Sequence, residues 1–180
     1  MNTLLFIVCL FLGVATLAAE GTGEDLFRAG EYRKAIDAFD KELEQIPGDP
    51  EIYNFLGACY YQLGFPAEAE DCYLNSLKLK PDYAFPHLNL ALLYLDLGEE
   101  EKLWQTGQKL VEYYPDFFFG YLAQAYCLFQ KNLLPEAGRK AEEAYCRISR
   151  KDPYLRENDR NYLYLLLLEL RRKIRRAGSL

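Results

Sequence analysis

Histidine is almost absent from this chain of 180 residues, because His87 is the only one. Structural and catalytic zinc sites usually combine several Cys and His ligands, and the sequence also has no Cys-x-x-Cys pair. A single His rules out any Cys–His nucleophile pair elsewhere in the chain. No glycine-rich phosphate loop follows a predicted strand. The sequence therefore predicts no catalytic residue, no cofactor site and no metal site.

Positive charge is also scarce, with 21 Lys and Arg against 27 Asp and Glu and a net charge of -6. A protein that binds nucleic acid normally shows a basic stripe, so this balance argues against that class of partner. Five of the basic residues lie within 171–176. Cations at a helix C-terminus complement the helix dipole, which favours a solvated helix end. Contact with an acidic partner or with lipid headgroups is the alternative.

Long apolar runs are missing after residue 20, but residues 4–19 contain no charged side chain and end in small residues. This pattern is typical of a secretory signal peptide and is short for a membrane span. Residues 1–19 are predicted to be a signal peptide cleaved after Ala18 or Ala19, or else an uncleaved N-terminal membrane anchor. Both interpretations predict an extracytoplasmic protein, periplasmic or secreted, and the second adds membrane association through the N-terminal segment.

Five cysteines are present, and Cys9 would leave with a cleaved signal. The others are Cys59, Cys72, Cys127 and Cys146. In an exported protein they could form disulfides, whereas buried small apolar side chains are the simpler interpretation. The pair to test is Cys59 with Cys72, since both fall on the two helices of one predicted hairpin.

An internal repeat is the strongest signal in the sequence. Three sets of residues recur at intervals of 34: Gly30, Gly64, Gly98 and Asn132; Ala35, Ala69, Leu103 and Ala137; and Pro47, Pro81, Pro115 and Ser149. The glycine set suits helix ends, where a left-handed residue closes the helix. The proline set suits the end of a second helix, which proline cannot continue.

The second copy resembles the tetratricopeptide repeat, a helix–turn–helix unit of 34 residues. It contains Tyr53-x2-Leu56-Gly57-x2-Tyr60, then Ala69-x3-Tyr73 and Pro81. The third and fourth copies are looser, and the first keeps only its second half. In the third copy His87 falls in a packing column, which favours a structural role.

The resemblance implies an all-α fold, a solenoid of helical hairpins of the tetratricopeptide type. It covers a repeat domain over residues 20–150, with a partial first repeat at 24–49 and full repeats at about 50–83, 84–117 and 118–151. Predicted helices are 31–46, 50–63, 66–79, 84–97, 99–113, 118–131 and 134–149. The helix at 31–46 is expected to stand without a partner.

After Ser149 the period ends, and a last helix is predicted over 152–176. Its apolar positions form one face: Leu163, Leu166, Leu167, Leu170 and Ile174. Because a solenoid needs its last repeat covered, this segment is predicted to be a C-terminal capping helix. Docking on a membrane surface is the alternative for the same helix.

In this family the first helix of each repeat lines a concave groove, so the resemblance also implies a binding site. The partner-binding residues expected there are Tyr61, Phe85, Leu88, Asn89, Leu92, Phe119, Leu122, Tyr126 and Phe129. The set is apolar and aromatic, without the Lys and Arg that some relatives use to hold a terminal carboxylate.

An exposed apolar groove implies an occupant. We expect a non-catalytic scaffold that binds an apolar helix or peptide of a protein partner, the mode known as helix-in-groove recognition. A homodimer mate and the groove's own side chains are the other occupants considered. The alternative function is that of a binding protein for a small hydrophobic ligand, serving a transport system.

Overall fold

The computed structural model describes residues 21–148 and 157–178, and all of the regular structure in these ranges is helical. The helices are α1 (Gly23–Arg28), α2 (Tyr32–Gln45), α3 (Pro50–Gln62), α4 (Pro66–Leu79), α5 (Ala84–Leu97), α6 (Glu100–Tyr113), α7 (Phe118–Gln130), α8 (Leu134–Cys146) and α9 (Glu157–Ala177). The predicted signal or anchor at 1–19 and the predicted start of the last helix at 152 lie outside the described residues.

Several helices begin where local side-chain chemistry dictates. Asp49 accepts a hydrogen bond from the backbone N–H of Glu51 at 2.8 Å, and Pro50 occupies the first turn of α3. Proline fits there because the first N–H groups of a helix have no partner within the helix. Pro66 and Pro135 likewise lie in the first turns of α4 and α8, although neither of these helices has a side-chain cap. These starts agree with the sequence prediction.

The residues between the two helices of each hairpin adopt the left-handed conformation. Gly30, Gly64, Gly98 and Asn132 have φ values of 79°, 80°, 69° and 59°. Glycine carries no Cβ penalty in this region, and asparagine is among the few other residues that enter it readily. The position that repeats every 34 residues is therefore the turn that folds each second helix back onto the first.

Close packing within the first two hairpins rests on a glycine beneath an aromatic ring. A Cβ placed on Gly57 would lie 2.6 Å from ring atoms of Tyr73, and one on Gly23 would lie 2.4 Å from Phe39. Gly23 belongs to α1, which pairs with α2. The prediction that the helix at 31–46 stands alone is therefore wrong, since a short first helix completes the first hairpin.

The later hairpins approach through small residues. A Cβ on Gly120 of α7 would meet Val111 at 2.9 Å, and one on Gly107 of α6 would meet the Cβ of Ala123 at 3.1 Å. Helices that meet at glycine or alanine come closer together than larger side chains allow. This contact joins the third hairpin tightly to the fourth.

The last helix, α9, covers the end of the repeat array and packs on α7 and α8. Its inner face buries Leu163, Leu167, Leu170 and Ile174, which join the main core cluster. Arg171 also pairs with Glu142 of α8 at 2.7 Å, so part of the basic end is held within the molecule. The all-α solenoid with a capping helix is confirmed.

The four cysteines of the described ranges are free thiols: Cys59 and Cys127 are buried, Cys72 is half-buried and Cys146 is exposed. Burial raises the pKa of Cys59 to about 12 and that of Cys127 to about 11. Within residues 21–148 and 157–178, none of the helices is long and apolar enough to cross a membrane.

Candidate partner-binding groove

A cavity of about 550 Å³ opens between α1, α3, α5 and α9. We call it the groove. Its lining consists of Phe27, Asn54, Phe55, Ala58, Tyr61, Gln62, Tyr73, Tyr83, Phe85, Leu88, Asn89, Leu92, Asp96, Tyr162 and Leu163. Apart from Tyr73 of α4 and Tyr83 of the turn before α5, the lining comes from the first helices of three successive hairpins and from the capping helix. The groove is therefore built by the repeat geometry and bounded at one side by the cap.

Aromatic rings form much of the groove wall, and they hold one another in place. Phe55 packs edge-on against Phe27 with ring centroids 5.5 Å apart, and it stacks on the buried Phe39 at 5.3 Å. Tyr83 and Phe85 make a similar edge contact at 5.7 Å. Offset and edge-to-face rings are favourable arrangements, so the wall has a defined shape before any partner arrives.

Two polar contacts cross the groove floor between α3 and α5. The amide of Asn89 donates a hydrogen bond to the side-chain oxygen of Asn54 at 3.0 Å. Near the other end of these helices, the hydroxyl of Tyr61 donates to the carboxylate of Asp96. Burial, together with this hydrogen bond and the charge of Asp96, raises the pKa of Tyr61 to about 12. The phenol therefore stays protonated and keeps donating at neutral pH.

Five of the predicted binding residues line the groove: Tyr61, Phe85, Leu88, Asn89 and Leu92. Phe85 is 40% exposed and Leu88 only 4%. Leu88 therefore forms the floor of the groove, while Phe85 presents a large surface to solvent. The role of these five residues in binding a partner stays a prediction.

The four residues predicted from the fourth repeat have different positions. Phe119 and Leu122 are each 1% exposed and belong to the main core, so the expectation that they face a partner has to be corrected. Tyr126 and Phe129 are half-buried against the same core and do not line the groove. The physical reason is α9, which packs on α7 and α8 and covers this part of the array.

Sequence reasoning missed the groove residues that come from α1 and α9, namely Phe27, Tyr162 and Leu163. A local signal for α1 exists: Thr22 and Asp25 form a capping box, in which each side chain accepts from the other residue's backbone N–H. Gly23 also lies 34 residues before Gly57. The position of Tyr162 in the groove could not be predicted from neighbouring residues, because it depends on how α9 packs on the repeat array.

His87 has the structural role that its packing position indicated. It is 6% exposed, its Nε2 lies 2.8 Å from the carbonyl oxygen of Pro81, and its ring packs against Tyr113. Burial lowers its pKa below the ordinary value, so the ring is neutral at neutral pH. In the part of the chain that the structure describes, no cluster of three or more His, Cys, Asp or Glu could hold a metal ion.

The family model described as "Tetratricopeptide repeat" matches residues 50–83. These are α3, α4 and the turn that follows, the hairpin held by Gly57 and Tyr73. This segment of the chain is a tetratricopeptide repeat.

Known proteins share the tetratricopeptide repeats of this chain. An inactive TPR repeat-containing thioredoxin of Arabidopsis thaliana is 32% identical over 79 residues, which are 44% of this chain and 11% of that protein. The matched part of this chain spans between 9% and 16% of the length of eight such relatives.

Solved structures share the fold at low identity. The crystal structure of MamA superposes with a TM-score of 0.65 at 23% identity, covering 69% of this chain and 73% of that one. The first TPR of Spaghetti (RPAP3), bound to the HSP90 peptide SRMEEVD, has a TM-score of 0.56 at 20% identity. That match covers 61% of this chain and 87% of the other. These likenesses concern the tetratricopeptide fold.

Proposed function

We propose that this protein is a non-catalytic, extracytoplasmic scaffold that binds an apolar segment of a partner protein in the groove. The observation that carries the proposal is the groove wall of preformed aromatic and aliphatic side chains in a cavity of about 550 Å³. Large apolar patches on soluble proteins usually mark interaction sites. A helix or an extended peptide would place its apolar side chains against Phe85, Leu92 and Tyr162.

The extracytoplasmic location is supported by the uncharged apolar residues 4–19, which suit a secretory signal or an N-terminal anchor. The intact mass of the protein purified from its native source tests this part. A mature chain that begins at Ala19 or Glu20 supports export with cleavage, and a full-length chain in the membrane fraction supports the anchor. A full-length chain in the cytosol would contradict both.

A photo-crosslinking experiment tests the binding site. A photoreactive phenylalanine analogue replaces Phe85 in the groove or Leu74 on α4, two side chains with similar exposures of 40% and 38%. Leu74 does not line the groove and reports on another face. Crosslinking of a discrete protein band at position 85 and not at 74 supports groove binding.

Substitution then checks the same site. Here the photoreactive analogue replaces Leu92, a second groove residue. Phe85→Glu places a charge in the apolar wall and should abolish the crosslink formed at position 92, whereas Leu74→Glu should leave that crosslink unchanged. Circular dichroism verifies that both variants are folded. A band that survives Phe85→Glu and disappears with Leu74→Glu would move the partner site to the outer face.

A small hydrophobic ligand is the second candidate, because a cavity of about 550 Å³ lies in the size range of small-molecule sites. Native mass spectrometry of the protein distinguishes the two. A bound lipid or fatty acid that Phe85→Glu releases would favour the ligand-binding function over the scaffold.

A further inference from the structure

Among the described residues, Asp96 is the single charged residue that lines the groove, and it is exposed at the groove edge. Its carboxylate accepts the hydrogen bond of the Tyr61 hydroxyl. In the same part of the chain, neither Lys nor Arg lines the groove, and Asp96 makes no ion pair. Tyr162 of α9 lines the groove together with Tyr61. The groove therefore combines tyrosine rings with a carboxylate that has a hydrogen-bond donor but no cationic partner among the described residues.

Elsewhere in the molecule the same arrangement is complete. The hydroxyl of Tyr94 donates to Glu70 at 2.8 Å, and the Lys102 ammonium lies 2.9 Å from that carboxylate. The same ammonium lies 5.2 Å from the centre of the Tyr94 ring. Burial alone would raise the pKa of Glu70, but hydrogen bonds from Lys102 and Tyr94 outweigh it and lower the pKa. This set consists of a tyrosine, the carboxylate it donates to, and a cation held by both.

A related set, in which the tyrosine does not donate to the carboxylate, joins α8 and α9. The Arg171 guanidinium lies 3.9 Å from the centre of the Tyr145 ring and pairs with Glu142 at 2.7 Å. The guanidinium and the ammonium are both attracted by the face of an aromatic ring as well as by a carboxylate. Among the described residues, four Lys or Arg side chains lie over a tyrosine ring and also pair with a carboxylate: Lys102, Lys109, Lys140 and Arg171.

We propose that Tyr61 and Asp96 form the open version of this arrangement, and that the segment bound in the groove carries a Lys or Arg side chain that completes it. The proposal rests on the proposed function and specifies its partner: an otherwise apolar segment with one cation. The cation pairs with the Asp96 carboxylate and lies against the ring of Tyr61. The apolar side chains of the same segment fill the aromatic part of the groove.

The Asp96 carboxylate also disfavours a partner with an acidic side chain at this point. An acidic side chain at this point would meet Asp96 without any cation in the groove lining to offset the repulsion. This groove therefore favours a cationic side chain, whereas a groove lined by Lys and Arg favours a carboxylate.

A phage-displayed library of random twelve-residue peptides is the probe, selected on the full-length protein with removal of clones that also bind Phe85→Glu. We expect apolar peptides that are enriched in Lys or Arg. On Asp96→Lys the preference should invert to Asp or Glu, while on Asp116→Lys it should stay as in the wild type. Asp116 is an exposed carboxylate outside the groove and provides the matched control.

Affinities of one selected synthetic peptide then measure the contribution of the cation. Replacing its Lys or Arg by norleucine should weaken binding to the wild type about three- to tenfold, the range expected for an exposed ion pair with a cation–π contact. The same replacement should have little effect with Asp96→Asn, and it should keep its full effect with Asp116→Asn.

Two different failures can be told apart. Groove-dependent peptides without a preference for Lys or Arg, or a norleucine effect that persists in Asp96→Asn, would overturn this inference and leave groove binding intact. A selection that yields no peptide sensitive to Phe85→Glu would overturn the inference together with the proposed groove function.

Discussion

At the scale of single residues, a glycine of one helix leaves room for an aromatic ring of the next helix in the first two hairpins. Gly57 lies beneath Tyr73, and Gly23 lies beneath Phe39 in the preceding hairpin. Both rings are 2% exposed, so neither can swing out without opening the core. The equivalent pairs of later repeats use small residues on both helices, as at Ala91 with Gly107.

Gly57→Ala tests this packing. The new Cβ would lie 2.6 Å from the Tyr73 ring, and relieving such overpacking costs about 1–3 kcal/mol. Gly138→Ala on α8 is the matched control, because its Cβ would have Ile174 at an ordinary 3.7 Å. Both changes gain the same helix propensity, so their difference isolates the steric cost.

Urea unfolding followed by circular dichroism measures that difference. The Gly57→Ala protein should unfold at a lower urea concentration than the wild type and the Gly138→Ala protein at an equal or higher one. Equal midpoints for the two variants would show that Tyr73 can move aside at little cost.

Residue patterns predicted the local features of the fold. The left-handed positions at Gly30, Gly64, Gly98 and Asn132 follow from spacing, because a turn depends on a few adjacent residues. Gly23 continues another column of the same period, together with Gly57, yet α1 was missed. The apolar residues 1–19 interrupt the pattern there, and the helix itself has only six residues.

At the scale of elements, α9 determines how much of the repeat array remains available to a partner. Its apolar face was predicted from helical periodicity, which shows that one side must be buried. Periodicity does not show which neighbour buries it. The structure places this face on α7 and α8, which is why Phe119 and Leu122 were wrongly expected in the groove.

Leu163→Ala tests the contribution of α9 to stability. Leu163 is fully buried in the main core cluster, and removing a buried leucine typically costs about 2–5 kcal/mol. Leu165→Ala is the control on the same helix, since Leu165 is 64% exposed and its loss should change stability by less than about 0.5 kcal/mol.

Thermal unfolding measured by circular dichroism is the readout for these two variants. A Leu163→Ala protein with the melting temperature of the wild type would show that α9 is docked loosely and does not cap the array.

At the scale of the whole molecule, the core has two parts. Among the described residues, five buried side chains form a cluster around α2 and α3, and twenty-four form the main cluster that runs from α4 to α9. In a repeat protein each unit is stabilised mainly by its neighbours. Among the described residues, the first hairpin packs on one neighbouring hairpin and belongs to the smaller cluster, so it should be the least stable part of these ranges.

Native-state hydrogen exchange checks this prediction. Amides of α1 and α2 should exchange through openings of lower free energy than amides of α5 and α7, which lie in the main cluster. The control is the Leu163→Ala protein, in which protection should fall in α7 and α8 more than in α2. Uniform protection across all helices of the wild type would mean that the two clusters unfold as one unit.

The position of α9 also limits the length of an extended segment that could bind in the groove. With the fourth repeat covered, the groove spans α1, α3 and α5, which is two interhelix steps of about 8–10 Å each. A strand that crosses about 16–20 Å at roughly 3.3 Å per residue contains only five or six residues. An extended segment of the proposed partner would therefore present a short motif, and a six-residue stretch of the right chemistry in an exposed loop or tail would be long enough to contain it.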